Sequence, residues 1–181
     1  MNKSVDKKVK ERRRGFFYEW ITPIIIAGVL SILIKVFVAY KVVIPSESMV
    51  PTLNVDDRLF VTRIYNLEKL ERGDIIVFHY DQEGEDIRMI KRLIGLPGDN
   101  VEIVEGKVSV NGTPLEENYI GTPDNYTGTF EVPEGKYFFL GDNRPVSNDS
   151  RKWQYPYVNK EDIEGKALLK IKPIKEFGFL N

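Results

Sequence analysis

The chain is divided by one apolar stretch, residues 20–40, which reads WITPIIIAGVLSILIKVFVAY and holds Lys35 as its one charged residue. As an α-helix rising about 1.5 Å per residue, it would span roughly 30 Å, the thickness of a bilayer's hydrocarbon core. Pro23 falls in the first turn, where a helix tolerates a missing N–H. The stretch therefore predicts a membrane-spanning helix.

Two other interpretations of this stretch compete with an anchor. A buried core helix would not explain why a cationic segment precedes it. A cleaved signal peptide has a basic start and an apolar middle too, but its apolar region is usually about 7–15 residues long. The polar segment that follows also lacks a clear small-x-small cleavage site. We therefore expect an uncleaved anchor.

The charge on the two sides of the stretch is unequal. Residues 1–14 carry seven basic and two acidic side chains, and residues 15–181 carry 19 basic and 25 acidic ones, so the formal net charge of -1 combines a basic arm with an acidic body. The positive-inside rule then predicts a cytoplasmic arm over residues 1–15, a transmembrane anchor over 16–40 and an extracytoplasmic domain over 41–181. The acidic body argues against nucleic acid as a partner.

The body has the pattern of β-strands. Short runs rich in Val, Ile, Phe and Tyr are separated by Gly, Pro, Asn and Asp, and Glu105-Gly106 and Asn111-Gly112 are turn dipeptides. Residues 66–71 and 159–163 each predict at most a turn or two of helix. The predicted strands cover residues 58–64, 74–80, 87–95, 100–104, 107–110, 129–132, 136–140 and 165–171.

The choice of catalytic groups is narrow, because the chain has no cysteine and one histidine. A Cys-ligated metal site is excluded, and we expect no metal and no cofactor. His79 lies in an alternating strand without a serine nearby, which is typical of an ordinary strand residue. A serine activated by a lysine remains, and such a lysine must lose its proton near neutral pH, usually through burial among apolar groups.

Lys91 is the lysine with apolar neighbours, since Met89, Ile90, Leu93 and Ile94 surround it in sequence. Strand alternation puts Lys91 and Arg92 on opposite faces, so we expect one to point inward and the other to meet solvent. From this segment alone, two exposed charges on an edge strand are equally compatible with the pattern.

Three segments in fixed order carry a family resemblance. They are SESMVPTL at 46–53, KRLIGLPGD at 91–99 and GDNRPVSNDSR at 141–151. Together, after one N-terminal anchor, they closely resemble the conserved segments of bacterial type I signal peptidases, the single-span Gram-positive form in particular. The resemblance covers residues 41–171 and implies a mostly β fold, a coiled β-sheet domain like that of signal peptidases and repressor proteases, with one N-terminal transmembrane helix.

The resemblance also implies a role for each matching residue. Ser48 would be the nucleophile and Lys91 the general base, with Ser46 as an oxyanion donor and Ser147 as the residue that orients the lysine. Small-residue pockets would be lined by Ile44, Leu53, Met89 and Ile90. Charged residues that hold the third segment in place would be Asp142, Arg144, Asp149 and Arg151.

The implied function is a membrane-bound serine endopeptidase that removes signal peptides from exported preproteins after small-x-small motifs. Its partners would be those preproteins and the lipid bilayer, its location the cell membrane with the catalytic domain outside, and its state a monomer. Two alternatives stay open: a Ser/Lys autoprotease that cuts its own linker, and a catalytically silent anchored binding module.

Overall fold

The computed structural model describes residue 15 and residues 17–180, so all of the predicted basic arm over residues 1–15 except Gly15 lies outside the described residues. The chain divides into two units between Ala39 and Tyr40. The first unit contains a π-helical turn, Phe17–Ile21, followed by helix α1, Thr22–Phe37, with Pro in its first turn. Within the described residues, Tyr18–Phe37 is the one helix long and apolar enough to cross a membrane, with a mean hydropathy of 2.2.

The predicted helix ends earlier than expected. Helix α1 stops at Phe37, and Ala39–Val43 form strand β1 instead. The segment AYKVV is rich in β-branched and aromatic residues, which favour a strand once a neighbouring strand is available to pair with it.

The second unit is built from antiparallel strands. The eight strands predicted from the sequence are all present, with bounds that differ by at most a few residues. The strands that follow β1 are β2 Arg58–Arg63, β3 Ile75–Gln82, β4 Glu85–Gly95, β5 Asn100–Val104, β6 Lys107–Val110, β7 Thr113–Pro114, β8 Gly128–Glu131, β9 Lys136–Leu140, β10 Val158–Asn159, β11 Ile163–Lys172 and β12 Gly178–Phe179. The two short helical segments predicted are single 3-10 turns, Leu67–Lys69 and Lys160–Asp162.

The strands form two sheets within the described residues. The larger has the order β1-β2-β11-β3-β4-β9-β10, with β12 paired to β11, and the smaller has the order β7-β6-β5-β8. Both predicted turn dipeptides adopt positive φ, with Glu105 at 48° and Gly106 at 79°, and Asn111 at 53° and Gly112 at 78°. This is the backbone geometry of tight two-residue hairpins, so these dipeptides set the β5–β6 and β6–β7 registers.

Three apolar clusters hold the sheets together. One stacks Phe78 on Phe139 with ring centroids 4.4 Å apart and includes Trp153. The second lies beneath β1 and β2, and the third joins the two sheets around Val101 and Phe138. The long strand β4 runs between these clusters, which is why both of its faces are covered from residue 90 onward.

Candidate active site

Ser48 and Lys91 meet in the structure. Ser48 lies in the loop that follows β1, and Lys91 lies on β4, where Nζ is 2.5 Å from Ser48 Oγ. Both side chains are buried, with exposed fractions of 7% for Ser48 and 5% for Lys91. Residues that are 43 positions apart in sequence thus form one hydrogen-bonded hydroxyl and amine, the pair of groups that a serine activated by a lysine requires.

Burial changes the acidity of this lysine. Desolvation lowers the pKa of Lys91 from 10.5 to about 8, while the nearby carboxylates of Asp149 and Asp142 oppose the change. Burial dominates because an ammonium loses more by leaving water than these charges return. A large share of Lys91 is therefore unprotonated at mildly alkaline pH, as a general base requires.

The expectation that Arg92 meets solvent is wrong. Arg92 is on the opposite face of β4 from Lys91, but it is only 2% exposed. Its guanidinium binds Asp142 through two bonds of 2.9 and 2.7 Å and donates to the Gly73 carbonyl at 2.7 Å. Alternation along a strand decides which side a residue takes, but not whether that side is covered by another segment.

The loop of residues 141–151, which we call the catalytic loop after its predicted role, is held by ion pairs. Asp142 joins it to Arg92 and also accepts a hydrogen bond from Thr52 at 2.5 Å. Asp149 accepts from the Gly141 N–H at 3.0 Å and pairs with Arg151 at 2.8 Å. The four charged residues expected to support the site are thus all buried and paired, since Arg144 also donates to the Gly141 carbonyl and to Glu117.

This loop also holds the backbone around Ser48. The Asn143 N–H donates to the Ser48 carbonyl at 3.1 Å, and its side-chain amide donates to the Glu47 carbonyl at the same distance. A Cβ at Gly141 would lie 2.5 Å from the Ser48 carbonyl oxygen, so only glycine fits there. Sequence reasoning assigned no role to Asn143, although its place inside GDNR could have drawn attention to it.

The two supporting serines behave differently. Ser46 Oγ is 3.3 Å from Ser48 Oγ, and Ser46 is exposed whereas Ser48 is buried. Ser147 Oγ is buried against Gly141 and has no hydrogen-bond partner within the described residues, so the hydrogen bond to Lys91 that the resemblance implied is not formed.

A cleft of about 680 Å³ opens beside the pair. Of the four predicted pocket residues, Met89 and Ile90 line this cleft. Ile44 and Leu53 do not, because they are 1% and 0% exposed and pack in the cluster beneath β1 and β2. The cleft is bounded instead by residues 41–43, 45–48 and 87–91 and by Val77, Val146 and Asn148.

His79 takes no part in this site. It lies on β3, where Nδ1 is 2.9 Å from Asp86 and Nε2 is 3.6 Å from Glu164, and it does not line the cleft.

Comparison with known sequences shows the family of this chain. The family described as signal peptidase, peptidase S26, matches residues 17–171, which is most of the chain. The chain therefore belongs to the signal peptidase family, whose members cleave signal peptides, and the mostly β fold with one N-terminal apolar helix accords with it.

Within this family, the similar proteins are type I signal peptidases, as the resemblance indicated. A signal peptidase I of Leptolyngbya laminosa is 45% identical over 90% of this chain and 83% of its own length. A probable signal peptidase I-2 of Synechocystis is 39% identical over 98% and 84%, and a signal peptidase I of Bacillus licheniformis is 35% identical over 91% and 93%. A crystal structure of a signal peptidase I from Enterococcus faecalis V583 is 38% identical, covering 56% of this chain and 98% of its own, with a TM-score of 0.45.

Proposed function

We propose that this protein is a membrane-anchored serine endopeptidase that cleaves signal peptides from exported preproteins, with Ser48 as nucleophile and Lys91 as general base. The observation that carries the proposal is the buried 2.5 Å contact between Lys91 Nζ and Ser48 Oγ at the wall of the cleft. An anchored protease is also supported by the chain order, because Ser48 lies only eleven residues after Phe37, the last residue of helix α1.

The pair can carry out both steps of the reaction. Unprotonated Lys91 accepts the proton of Ser48 Oγ as that oxygen bonds to the carbonyl carbon of the scissile peptide. Lys91 then returns the proton to the nitrogen of the leaving amine, and water releases the acyl group in a second cycle. The Ser46 hydroxyl, together with the Ser48 N–H, would stabilise the negative charge that develops on the carbonyl oxygen.

The cleft supports an extended peptide as substrate. Strand β4 pairs with β9 only from Arg92 onward, so residues 87–90 form a sheet edge at the cleft, and residues 41–43 of β1 lie across from it. A peptide chain can add to such an edge through backbone hydrogen bonds while its side chains alternate in direction. The shallow apolar surface of Met89, Ile90 and Val77 suits small side chains at the first and third positions before the cut.

The proposed membrane arrangement follows from charge. The basic arm over residues 1–15 would remain in the cytoplasm, residues 16–40 would span the bilayer, and residues 41–181 would act on its outer face as a monomer.

The test is cleavage of a preprotein with an Ala-x-Ala site by the full-length protein in detergent micelles. Ser48→Ala and Lys91→Ala should each lower the cleavage rate by at least about 10³-fold, as loss of a nucleophile or its base does in serine proteases. Ser109→Ala and Lys107→Ala, on strand β6 of the smaller sheet, are matched controls that should cleave like wild type. Cleavage by Ser48→Ala at the wild-type rate would refute the nucleophile, and self-cleavage with no activity on added preprotein would point to an autoprotease.

A further inference from the structure

A long connection from the smaller sheet reaches the catalytic loop. Residues 115–127, which we call the strap, join β7 to β8 and contain neither helix nor strand. Its ends are fixed, since the Leu115 N–H donates to the Val108 carbonyl and the Gly106 N–H donates to the Tyr126 carbonyl, both at 2.9 Å. Connections longer than about 12–15 residues are uncommon in compact domains and are usually either functional or linker segments.

Three strap residues contact three buried arginines of the site. Glu117 accepts a hydrogen bond from Arg144, and Asp124 accepts one from Arg151. The Arg92 guanidinium lies over the ring of Tyr119, with Arg92 Cζ 3.8 Å from the ring centroid. The Tyr119 hydroxyl donates to Glu117 at 2.7 Å. All three arginines are buried, with exposed fractions of 2% for Arg92, 1% for Arg144 and 6% for Arg151.

Two of these arginines connect the strap to the loop that holds Ser48 in place. Arg144 donates to the Gly141 carbonyl at 3.1 Å, and Arg151 donates to the Arg144 carbonyl at 2.8 Å. The same loop holds the Ser48 carbonyl through the Asn143 N–H at 3.1 Å. The strap also packs directly against the Ser48 loop, because a Cβ at Gly121 would lie 3.1 Å from Pro51 Cδ.

The strap completes the charge balance around Lys91. Asp142 pairs with Arg92 and Asp149 with Arg151, and Glu117 is the carboxylate that compensates Arg144. A buried guanidinium without a carboxylate is strongly unfavourable, and the loop would shift to expose it. Asp142 and Asp149 act on Lys91 directly, so a shift of their loop would change both the position and the electrostatics of the general base.

We propose that the strap positions the catalytic loop, with Glu117 and Asp124 as positioning residues that act on Ser48 and Lys91 through Arg144 and Arg151. This inference rests on the proposed Ser48/Lys91 function.

The experiment compares Glu117→Gln, Asp124→Asn and Tyr119→Phe in the full-length protein, using the preprotein assay over a range of pH. Glu116→Gln is the matched control, since it removes the neighbouring carboxylate, which is exposed. We expect Glu117→Gln and Asp124→Asn to lower kcat by at least about tenfold with KM little changed. For Glu117→Gln we also expect the midpoint of the kcat profile to move to lower pH, because the Arg144 guanidinium loses its carboxylate and then disfavours a protonated lysine nearby.

Tyr119→Phe keeps the ring over Arg92 and removes only the hydrogen bond to Glu117, so it should fold and lower kcat by about threefold. A shift of the pH midpoint separates positioning from a simple loss of folded protein, which lowers the rate at every pH without moving the midpoint. The inference is overturned if all three variants match Glu116→Gln in kcat and midpoint, or if Glu117→Gln lowers kcat at an unchanged midpoint. Ser48→Ala serves as the inactive reference, and a wild-type protein no more active than Ser48→Ala would overturn the proposed function together with this inference.

Discussion

Lys91→Met should make the protein more stable at neutral pH, because it replaces a costly buried charge with an apolar side chain of similar shape. Burial lowers the pKa of Lys91 from 10.5 to about 8. Since a tenfold change in an equilibrium constant is about 1.4 kcal/mol, that difference corresponds to a cost of about 3 kcal/mol. Loss of the hydrogen bond to Ser48 Oγ would offset about 1 kcal/mol of this. We therefore expect the free energy of unfolding of Lys91→Met to be about 2 kcal/mol higher than that of wild type at pH 7.

The gain should depend on pH with a definite sign. Between pH 8 and 10.5 the unfolded chain keeps a proton on Lys91 that the folded protein has lost, so the free energy of unfolding of wild type rises with pH in this window. Below pH 8 both states are protonated and the cost is fully present. The advantage of Lys91→Met should therefore shrink from pH 8 upward, reach zero near about pH 9.5 and be reversed by pH 10.5, where only the lost hydrogen bond remains.

Urea unfolding of the full-length protein in detergent micelles measures this difference from pH 7 to 11. Trp153 is buried and stacks on Tyr80 with centroids 4.0 Å apart, so its fluorescence reports the packing of the large sheet. Trp20→Phe in all variants removes the other tryptophan signal, and Lys107→Met controls for loss of an exposed lysine. A stability difference that stays constant across this pH range, or a Lys91→Met protein less stable than wild type at pH 7, would refute the assignment of Lys91 as a buried, deprotonating base.

Three further results are expected. The cleavage rate of wild type should rise with pH through a midpoint near 8, where the pKa of Lys91 lies, and a rate that is flat from pH 6 to 9 would contradict a lysine base. Asp142→Asn should lower the free energy of unfolding by about 3–5 kcal/mol in urea titrations, because it removes the carboxylate charge that the buried Arg92 binds through two bonds, whereas exposed Asp56→Asn should change it little. Gly112→Val should cost about 1–2 kcal/mol in the same measurement, because φ at Gly112 is 78° and a β-branched residue is strained there; an unchanged midpoint would count against this turn geometry.

Much of the fold could be predicted because its signals are local. Alternating apolar residues and turn dipeptides gave the eight main strands nearly to the residue, and the apolar stretch predicted helix α1. The strands that were missed, β1, β7, β10 and β12, are short or follow the helix directly. Their residues have no pattern of their own, and they become strands only because a partner strand lies beside them.

Only part of the site could be predicted, because some of its residues have no local signal in the sequence. Residue type and motif order singled out Ser48 and Lys91, and the structure brings the two together. Ile44 and Leu53 lie beneath the cleft because the segment between β1 and β2 folds back into the core. Glu117 and Asp124 carry no local signal, since their importance comes from arginines 27 positions away in each case.

By itself, the sequence determined the order of parts: an apolar helix, a β domain, and a serine and a lysine with no cysteine and no second histidine to replace them. Only the tertiary structure decided that Lys91 is buried and that Arg92, on the other face of the same strand, is buried as well. The physical reason is that the pKa of a charged side chain depends on how much water surrounds it. For Lys91, that water is excluded by the loop that holds Ser48 and by the loop of residues 141–151, which lie about 40 to 60 positions away in the chain.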